Sequence, residues 1–308
     1  MYIRPTTLGT TNLALNDILS SQAKYNTLSE QSSSGLKVSK PSDDPTAAKS
    51  ILDVNASISQ LNGYLDNINV TQTELDTQES TLSSLSSLIE KASGLATQAA
   101  NQTYSQTELT AMKSQVDLVL NSVLDLANTK YNGNYIFSGT NTSTPAYTVD
   151  VAGNITYKGT ASTDSYQRYV QISDGVFVPI NAPGDQVFGS YDAATNTGTG
   201  LIGTLKALSN AMGAGNNAGI SGSLDNLSND LNTALLVRTK TAAISSKFEL
   251  TTSSINTAVT NLTSYKSNLE DIDLSAVLAK LASAQVAMQA TMSTASKTLS
   301  GLSLLNYL

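Results

Sequence analysis

Apolar residues recur at helical spacing over most of this chain, and the helical stretches they mark are long. Between Thr6 and Gln31, Leu8, Leu15, Ile18 and Tyr25 follow alternating four-and-three spacing, with polar Gln22 in one seam position. Such a narrow heptad stripe predicts a helix that needs a partner. The pattern resumes after Pro45 with Ile51, Val54, Ile58, Leu61, Leu65, Ile68 and Leu75, shifts phase near Leu82, and continues through Leu85, Leu88, Ala92, Leu95 and Ala99. The shift resembles a stutter, and a helix from Pro45 to Ala100 would be about 80 Å long.

A polar break at Asn101 to Gln106 precedes a third helical pattern over Thr107 to Thr129, expected to fold back antiparallel onto its predecessor. Periodicity then falls to two. Tyr135-Ile136-Phe137, Tyr147-Thr148-Val149, Ile155-Thr156-Tyr157, Tyr169 to Ile172 and Val176-Phe177-Val178 predict short strands, with Asp174-Gly175 a hairpin turn. Leu201 to Met212 predicts a short helix, G-A-G-N-N-A-G a flexible loop, and Ile220 to Leu269 a long returning helix. The last helix, capped by Asp273, carries Leu274, Leu278, Leu281, Met288, Met292, Ala295, Leu299 and Leu302. Its natural partner is the stripe from Leu8 to Tyr25.

The two opening helices are divided by S-S-G-L-K-V-S-K-P-S-D-D-P-T-A-A, Ser33 to Ala48. Gly35 can take the left-handed conformation that closes a helix, and Pro45 suits the first turn of the next. Asp44, preceding a proline, is driven into the extended geometry of an N-cap, and Asp43 adds charge at the positive end of the helix dipole. Gly35, Pro41, Ser42, Asp43, Asp44 and Pro45 are therefore read as hinge and cap. Capping is favoured over any general acid or base role for the two carboxylates.

Composition narrows the chemistry. The 308 residues include no cysteine and no histidine, removing thiolate chemistry, disulfides, the commonest general base and the commonest transition-metal ligand. A formal charge of -7 would repel nucleic acid and anionic membranes on average. No stretch is long and apolar enough for a membrane span, and M-Y-I-R-P-T-T-L-G has no secretory-signal pattern.

Four constellations invite a sharper reading. Gly198 to Gly203 matches G-x-G-x-x-G, with Asp225 further on, but the polar Y-D-A-A-T-N-T before it is no buried parallel strand, so a glycine-rich connector is favoured. Ser21 and Lys24 form an S-x-x-K of the kind serine-rich chains produce by chance. Glu270, Asp271 and Asp273 could supply oxygen ligands to calcium, but capping and solvation are favoured. Tyr131, Tyr135, Tyr147, Tyr157, Tyr166 and Tyr169 are read as the core of the β module. No catalytic, cofactor-binding or metal site is expected.

The run G-L-K-V-S-K-P-S-D-D-P resembles the N-terminal signature of the flagellin family. The P-S-D-D-P within it is similar to the branch joining flagellar hook to filament; flagellin itself usually lacks both prolines. Gly133 to Thr140, G-N-Y-I-F-S-G-T, and the tail from L-E-D-I-D to G-L-S-L-L-N-Y-L point the same way. The segment Lys240 to Lys247 departs from the family, which usually carries a glycine there.

The resemblance implies a mainly α fold with a β-rich insertion, a long antiparallel bundle whose terminal helices pair as a coiled coil. The expected divisions are 1–40 with 274–308 as the terminal domain, 41–130 with 201–273 as the bundle, and 131–200 as the β module. It implies a non-enzymatic subunit of the hook-filament junction, exported uncleaved by the flagellar type III apparatus. The implied partners are itself in a ring or short helical layer, the hook-side junction protein (hook-associated protein 1), flagellin and an export chaperone. A flagellin filament subunit is the alternative; an exported enzyme or glycan-binding protein using the β module is a remote one.

Overall fold

The computed structural model describes residues 7–101, 103–160, 167–182, 184–192 and 195–305. Helices dominate: α1 (Thr7–Ser34), α2 (Pro45–Ala99), α3 (Gln106–Ala127), a single turn α4 (Gly184–Val187), α5 (Gly200–Gly213), α6 (Asn217–Glu270) and α7 (Leu274–Leu305). The fold is mainly α with a β-rich insertion, as expected from the residue pattern. Two compact units are formed, one from residues 1–60 and 257–308, the other from 61–256. Their boundaries fall inside α2 and α6, and the Pro41–Pro45 hinge lies within the first unit.

The first unit is built on the pairing of α1 with α7. Leu28, Val277 and Ala284 are buried together, with Ile272 and Leu281 packed against them. This is a thin core. Burying each large aliphatic side chain contributes about 1.5–3 kcal/mol, and here small residues occupy much of the seam.

The second unit holds the main core. The second half of α2 supplies Leu82, Leu85, Ile89, Ala92 and Ala96, α3 supplies Val116, Val119 and Val123, and α5 supplies Leu201, Ile202, Leu205 and Leu208, while Ile220, Leu227 and Ala234 close it from α6. α3 starts cleanly because Ser105 and Glu108 form a reciprocal capping box.

Strands occupy the insertion. β1 (Lys130–Tyr131) and β2 (Asn134–Tyr135) form a two-residue hairpin through Asn132 and Gly133, both at positive φ. β3 (Tyr147–Val149), β4 (Ile155–Tyr157), β7 (Ser190–Asp192) and β8 (Thr197–Thr199) make an antiparallel sheet in that order. β5 (Tyr169–Ser173) and β6 (Val176–Pro179) form a separate hairpin turned by Asp174-Gly175.

The expected strand Tyr135-Ile136-Phe137 stops at Tyr135, because the next two side chains both go into the core and the chain turns there. β7 and β8 were not anticipated: their residues are mostly polar and the hairpin carries no apolar alternation. G-A-G-N-N-A-G is mostly helical, with only 214–216 between α5 and α6.

The tyrosine cluster divides. Tyr147 is buried, its hydroxyl donating to the carbonyls of Gly184 and Gly189 at 2.8 Å each. Burial pushes its phenol far above the ordinary range. Tyr157 donates to Phe137 O at 2.9 Å, and burial raises its phenol to about 12. Tyr169, however, is 52% exposed, so it is not core; it pairs across the hairpin with Pro179. Tyr166 lies outside the described residues.

Candidate assembly surfaces on the terminal helices and the hinge

The hinge is fastened by its two aspartates in different ways. Asp44 Oδ1 accepts from the amides of Thr46 and Ala47, both at 3.0 Å, satisfying two of the free N–H groups that open α2. Asp43 Oδ2 accepts instead from the Ser39 and Lys40 amides at 3.1 and 2.9 Å and from the Ser39 hydroxyl at 3.3 Å. Asp43 thus folds the loop back on itself. The Lys40 amide is the largest cause of a carboxyl held below the ordinary range.

Pro41 and Ser42 occupy the centre of this turn, closed by Asp43 N donating to Lys40 O at 3.0 Å. Both are exposed, as is Pro45, which starts α2. Lys40 reaches Glu30 of α1 at 2.7 Å. Gly35 sits at φ +75°, ending α1 in the left-handed region open to glycine.

A second turn lies beside the first. Ile272 N donates to Gly35 O at 3.1 Å and Lys37 N to Glu270 O, giving an isolated antiparallel bridge between Leu36 and Asp271. The acidic trio near this turn is dispersed in role. Asp273 Oδ1 accepts from Ala276 N at 3.1 Å and caps α7, Asp271 accepts from the Ser267 hydroxyl, and Glu270 pairs with Lys266 at 3.4 Å. Among the described residues no group of three acidic, histidine or cysteine side chains is placed to hold a metal.

The helix pair uses a seam shifted from the large-residue stripes. On α7 the positions turned toward α1 are Val277, Leu281, Ala284, Met288, Thr291 and Ala295, again at four-and-three spacing. On α1 they include Ile18, Ser21, Tyr25 and Leu28, and Ser21 Oγ lies 3.4 Å from Thr291 Oγ1. So Ile18, Tyr25, Leu281 and Met288 are half-buried at the contact. Leu15, Leu274, Leu278 and Met292 are turned out, at 53%, 52%, 47% and 42% exposure.

Residue size explains the shift. Alanine, serine and threonine on one side of the heptad let the backbones approach, leaving the leucines of the other side outside. Ser21, Ala284 and Thr291 were therefore missed by counting large apolar residues, and Leu28 and Val277 fell outside the counted frame, though the four-and-three spacing of this second line is itself a signal. Leu8, Leu299 and Leu302 lie outside the residues whose side chains are described.

The other sequence candidates are structural. Gly198 in β8 and Gly203 in α5 pack so closely that a Cβ on Gly198 would lie 2.5 Å from Gly203 Cα. β8 is antiparallel to β7, and among the described residues no parallel strand flanks the motif as a dinucleotide site requires. Asp225 sits on α6, and Ser21 and Lys24 face the α1–α7 groove.

Residues 6–142 match the family model of the bacterial flagellin N-terminal helical region. Two relatives align over nearly the whole chain. The flagellar hook-associated protein 3 of Salmonella typhimurium is 26% identical, with 91% of this chain and 92% of that protein covered. That of Escherichia coli is 27% identical, covering 90% and 91%. The sequence is thus similar to the flagellin N-terminal helical region over its first part and to hook-associated protein 3 over most of its length. The fold agrees: the crystal structure of flagellar hook associated protein-3 from Legionella pneumophila superposes with a TM-score of 0.61 at 17% identity, covering 71% of this chain and 98% of the other. Both the hinge and the G-N-Y-I-F-S-G-T turn fall within the span of the family model.

Proposed function

We propose that this chain is a structural subunit of the bacterial flagellum that forms the junction between hook and filament. The observation that carries this reading is the alignment, end to end, with two relatives named flagellar hook-associated protein 3. Its physical counterpart is the arrangement of the terminal helices, which pair on a thin small-residue seam and keep large apolar side chains outside. Such helices gain stability when further copies cover them.

The role is packing, without catalysis. The absence of histidine and cysteine from the sequence supports this, as does the use of the acidic residues in caps and turns. The assembly is a ring or short helical layer of this chain, bounded by the hook-side junction protein on one face and flagellin on the other. It is reached through an export chaperone and the type III apparatus, at the extracellular flagellum, with no nucleic acid or membrane as partner. No described helix is long and apolar enough to cross a membrane.

Deletion of the gene in its own bacterium tests the role. Cells should build hooks and secrete flagellin without retaining filaments, and the wild-type gene should restore them. Long filaments grown from this chain alone would instead make it a filament subunit, because such a subunit must complement itself on both its upper and lower surfaces.

A further inference from the structure

The glycine-rich turn leading into α5 makes room where a dinucleotide turn would grip a phosphate. Gly198, Gly200 and Gly203 line a pocket of about 280 Å³ between the β7–β8 hairpin, the start of α5 and one face of α6. Having no side chains, they leave open the space that larger residues would fill. The α6 wall is Asn226, Asn229 and Asp230, which share a face because residues three and four apart on a helix are neighbours. The whole pocket belongs to the second compact unit.

Donors and acceptors in this pocket do not balance. Tyr191 spends its only hydroxyl proton on Asn196 Oδ1 at 2.8 Å, and Asn210 Nδ2 donates to the same oxygen at 2.6 Å. The Thr204 hydroxyl has one proton for two acceptors, Gly200 O at 3.2 Å and the Asp230 carboxylate. Asp230 Oδ2 is buried and has no hydrogen-bond partner among the described residues. Among those residues no lysine or arginine lines the pocket; Lys206 rests instead on the Tyr191 ring, Nζ 5.6 Å from its centroid. Oxygen acceptors thus outnumber donors around one uncompensated negative charge, a deficit that a positive ligand removes.

We propose that this pocket holds a calcium ion anchored on Asp230, with the hydroxyl oxygens of Thr204 and Tyr191, the side-chain carbonyls of Asn226 and Asn229, and retained water completing its shell. Every side-chain ligand on offer is a hard oxygen, and the sequence has no histidine or cysteine to draw a softer metal. The volume admits an ion together with several waters, at about 30 Å³ each. Calcium accepts about six to eight oxygens in irregular arrangement, whereas magnesium demands a near-ideal octahedron. A monovalent ion gains only about half the attraction to Asp230, and an organic amine finds little hydrocarbon beyond Ala207 and the Tyr191 ring. Bound there, the ion ties the β7–β8 hairpin to α5 and α6 at once. This site is independent of the junction role.

Terbium(III), a hard ion close to calcium in size, emits when a phenol beside it absorbs, and the chain has no tryptophan to add a second donor. Full-length protein, stripped of divalent ions with chelator and desalted, is titrated with terbium chloride and then with calcium or magnesium chloride. One carboxylate sets a weak site, with a calcium Kd of about 10⁻⁴–10⁻³ M. We expect sensitised emission that calcium displaces several-fold more effectively than magnesium. Asp230→Asn and Tyr191→Phe should each cut the emission several-fold, while Asp225→Asn, exposed and outside the lining, should leave it unchanged. In about 10 mM calcium chloride the wild-type Tm should rise by about 3 °C, and that of Asp230→Asn should not respond to calcium.

Asn226→Asp sets a second carboxylate one turn from Asp230 and should tighten calcium binding several-fold. The position is exposed and tolerates the change, so this variant decides the matter if Asp230→Asn does not fold. Calcium responses equal in Asp230→Asn and wild type would overturn the proposal, as would an unchanged affinity in Asn226→Asp. A loss in Asp225→Asn as large as that in Asp230→Asn would overturn it in favour of diffuse attraction to an acidic surface. Equal displacement by magnesium would overturn the assignment to calcium.

Discussion

Arg168 grips Glu74 with both arms of its guanidinium, Nη1 to Oε1 at 2.7 Å and Nη2 to Oε2 at 2.8 Å, joining β5 to the middle of α2 across 94 positions of sequence. Nearby, Asn67 Nδ2 donates to Gln171 O at 3.2 Å and Gln78 Nε2 to Ile180 O at 3.2 Å. The β5–β6 hairpin is thus held on α2 by polar bonds around the inward-facing Ile172 and Val178. Glu74 is almost fully buried, so its bonds exclude water.

Arg168→Lys should lose the two-pronged grip while keeping the charge, and Glu74→Ala should leave a half-buried guanidinium without its carboxylate. We expect a loss of about 2 kcal/mol for Glu74→Ala, the scale of bonds to a charged group, and roughly half that for Arg168→Lys. Urea unfolding followed by circular dichroism measures both. Equal stability of the two variants and wild type would mean that the hairpin is held by its apolar face alone.

The two hinge aspartates should respond unequally. Asp44→Ala removes a helix cap and is expected to lower stability by about 1 kcal/mol. Asp43→Ala frees amides that water can reach, so its urea midpoint should move less. Because its loop bonds hold the Asp43 carboxyl below the ordinary range, the charged form contributes stability above that range, and the contribution disappears as pH falls through the lowered value. Amide exchange at Ser39 and Lys40 should accordingly quicken, relative to the intrinsic rate, in strong acid.

Asp230 on α6 is expected to behave in the opposite sense. Burial raises its carboxyl above the ordinary range against the lowering effect of the Thr204 hydroxyl, and its Oδ2 has no hydrogen-bond partner among the described residues. Stability linked to this group is therefore greatest below the ordinary carboxylate range and falls as pH climbs through the raised value. Asp230→Asn should raise Tm at pH 7, with the gain vanishing near about pH 3 where both carboxyls are protonated. A lower Tm for the variant at neutral pH would mean that the charge has a favourable partner.

Two glycines in helices should give opposite results when replaced by alanine. Gly94 in α2 has open space around a built Cβ, so Gly94→Ala should stabilise by about 0.5–1 kcal/mol. A Cβ on Gly203 in α5 would strike the backbone of Gly198, so Gly203→Ala should cost about 1–3 kcal/mol. Thermal melts of the two variants decide this, and a stable Gly203→Ala would mean that β8 can draw back from α5.

The long helices were legible because Val54, Ile68, Leu75 and Leu82 repeat over many turns, so that one misread residue changes nothing. The hinge was legible because Gly35, Pro41 and Pro45 act through local backbone geometry that needs no partner to be known. The contact face of the terminal helices was not. Leu274 and Val277 are equally apolar, and only the small size of Ala284 and Thr291 decides which of them turns inward. β7 and β8 were hidden for a related reason: Asp192, Thr197 and Gly198 gain their strand geometry from the neighbouring strand and from α5, which no local pattern announces.

The bridge between Leu36 and Asp271 bears on what the hinge can do. A single strand of backbone leaving a helix is a swivel, free to turn about its own bonds. Here the departing strand before α2 and the arriving strand before α7 are laced together by two amide bonds at the same level. Turning one about its length must drag the other around it, which breaks the lacing, whereas bending both together preserves it. The joint therefore resists twisting more than bending.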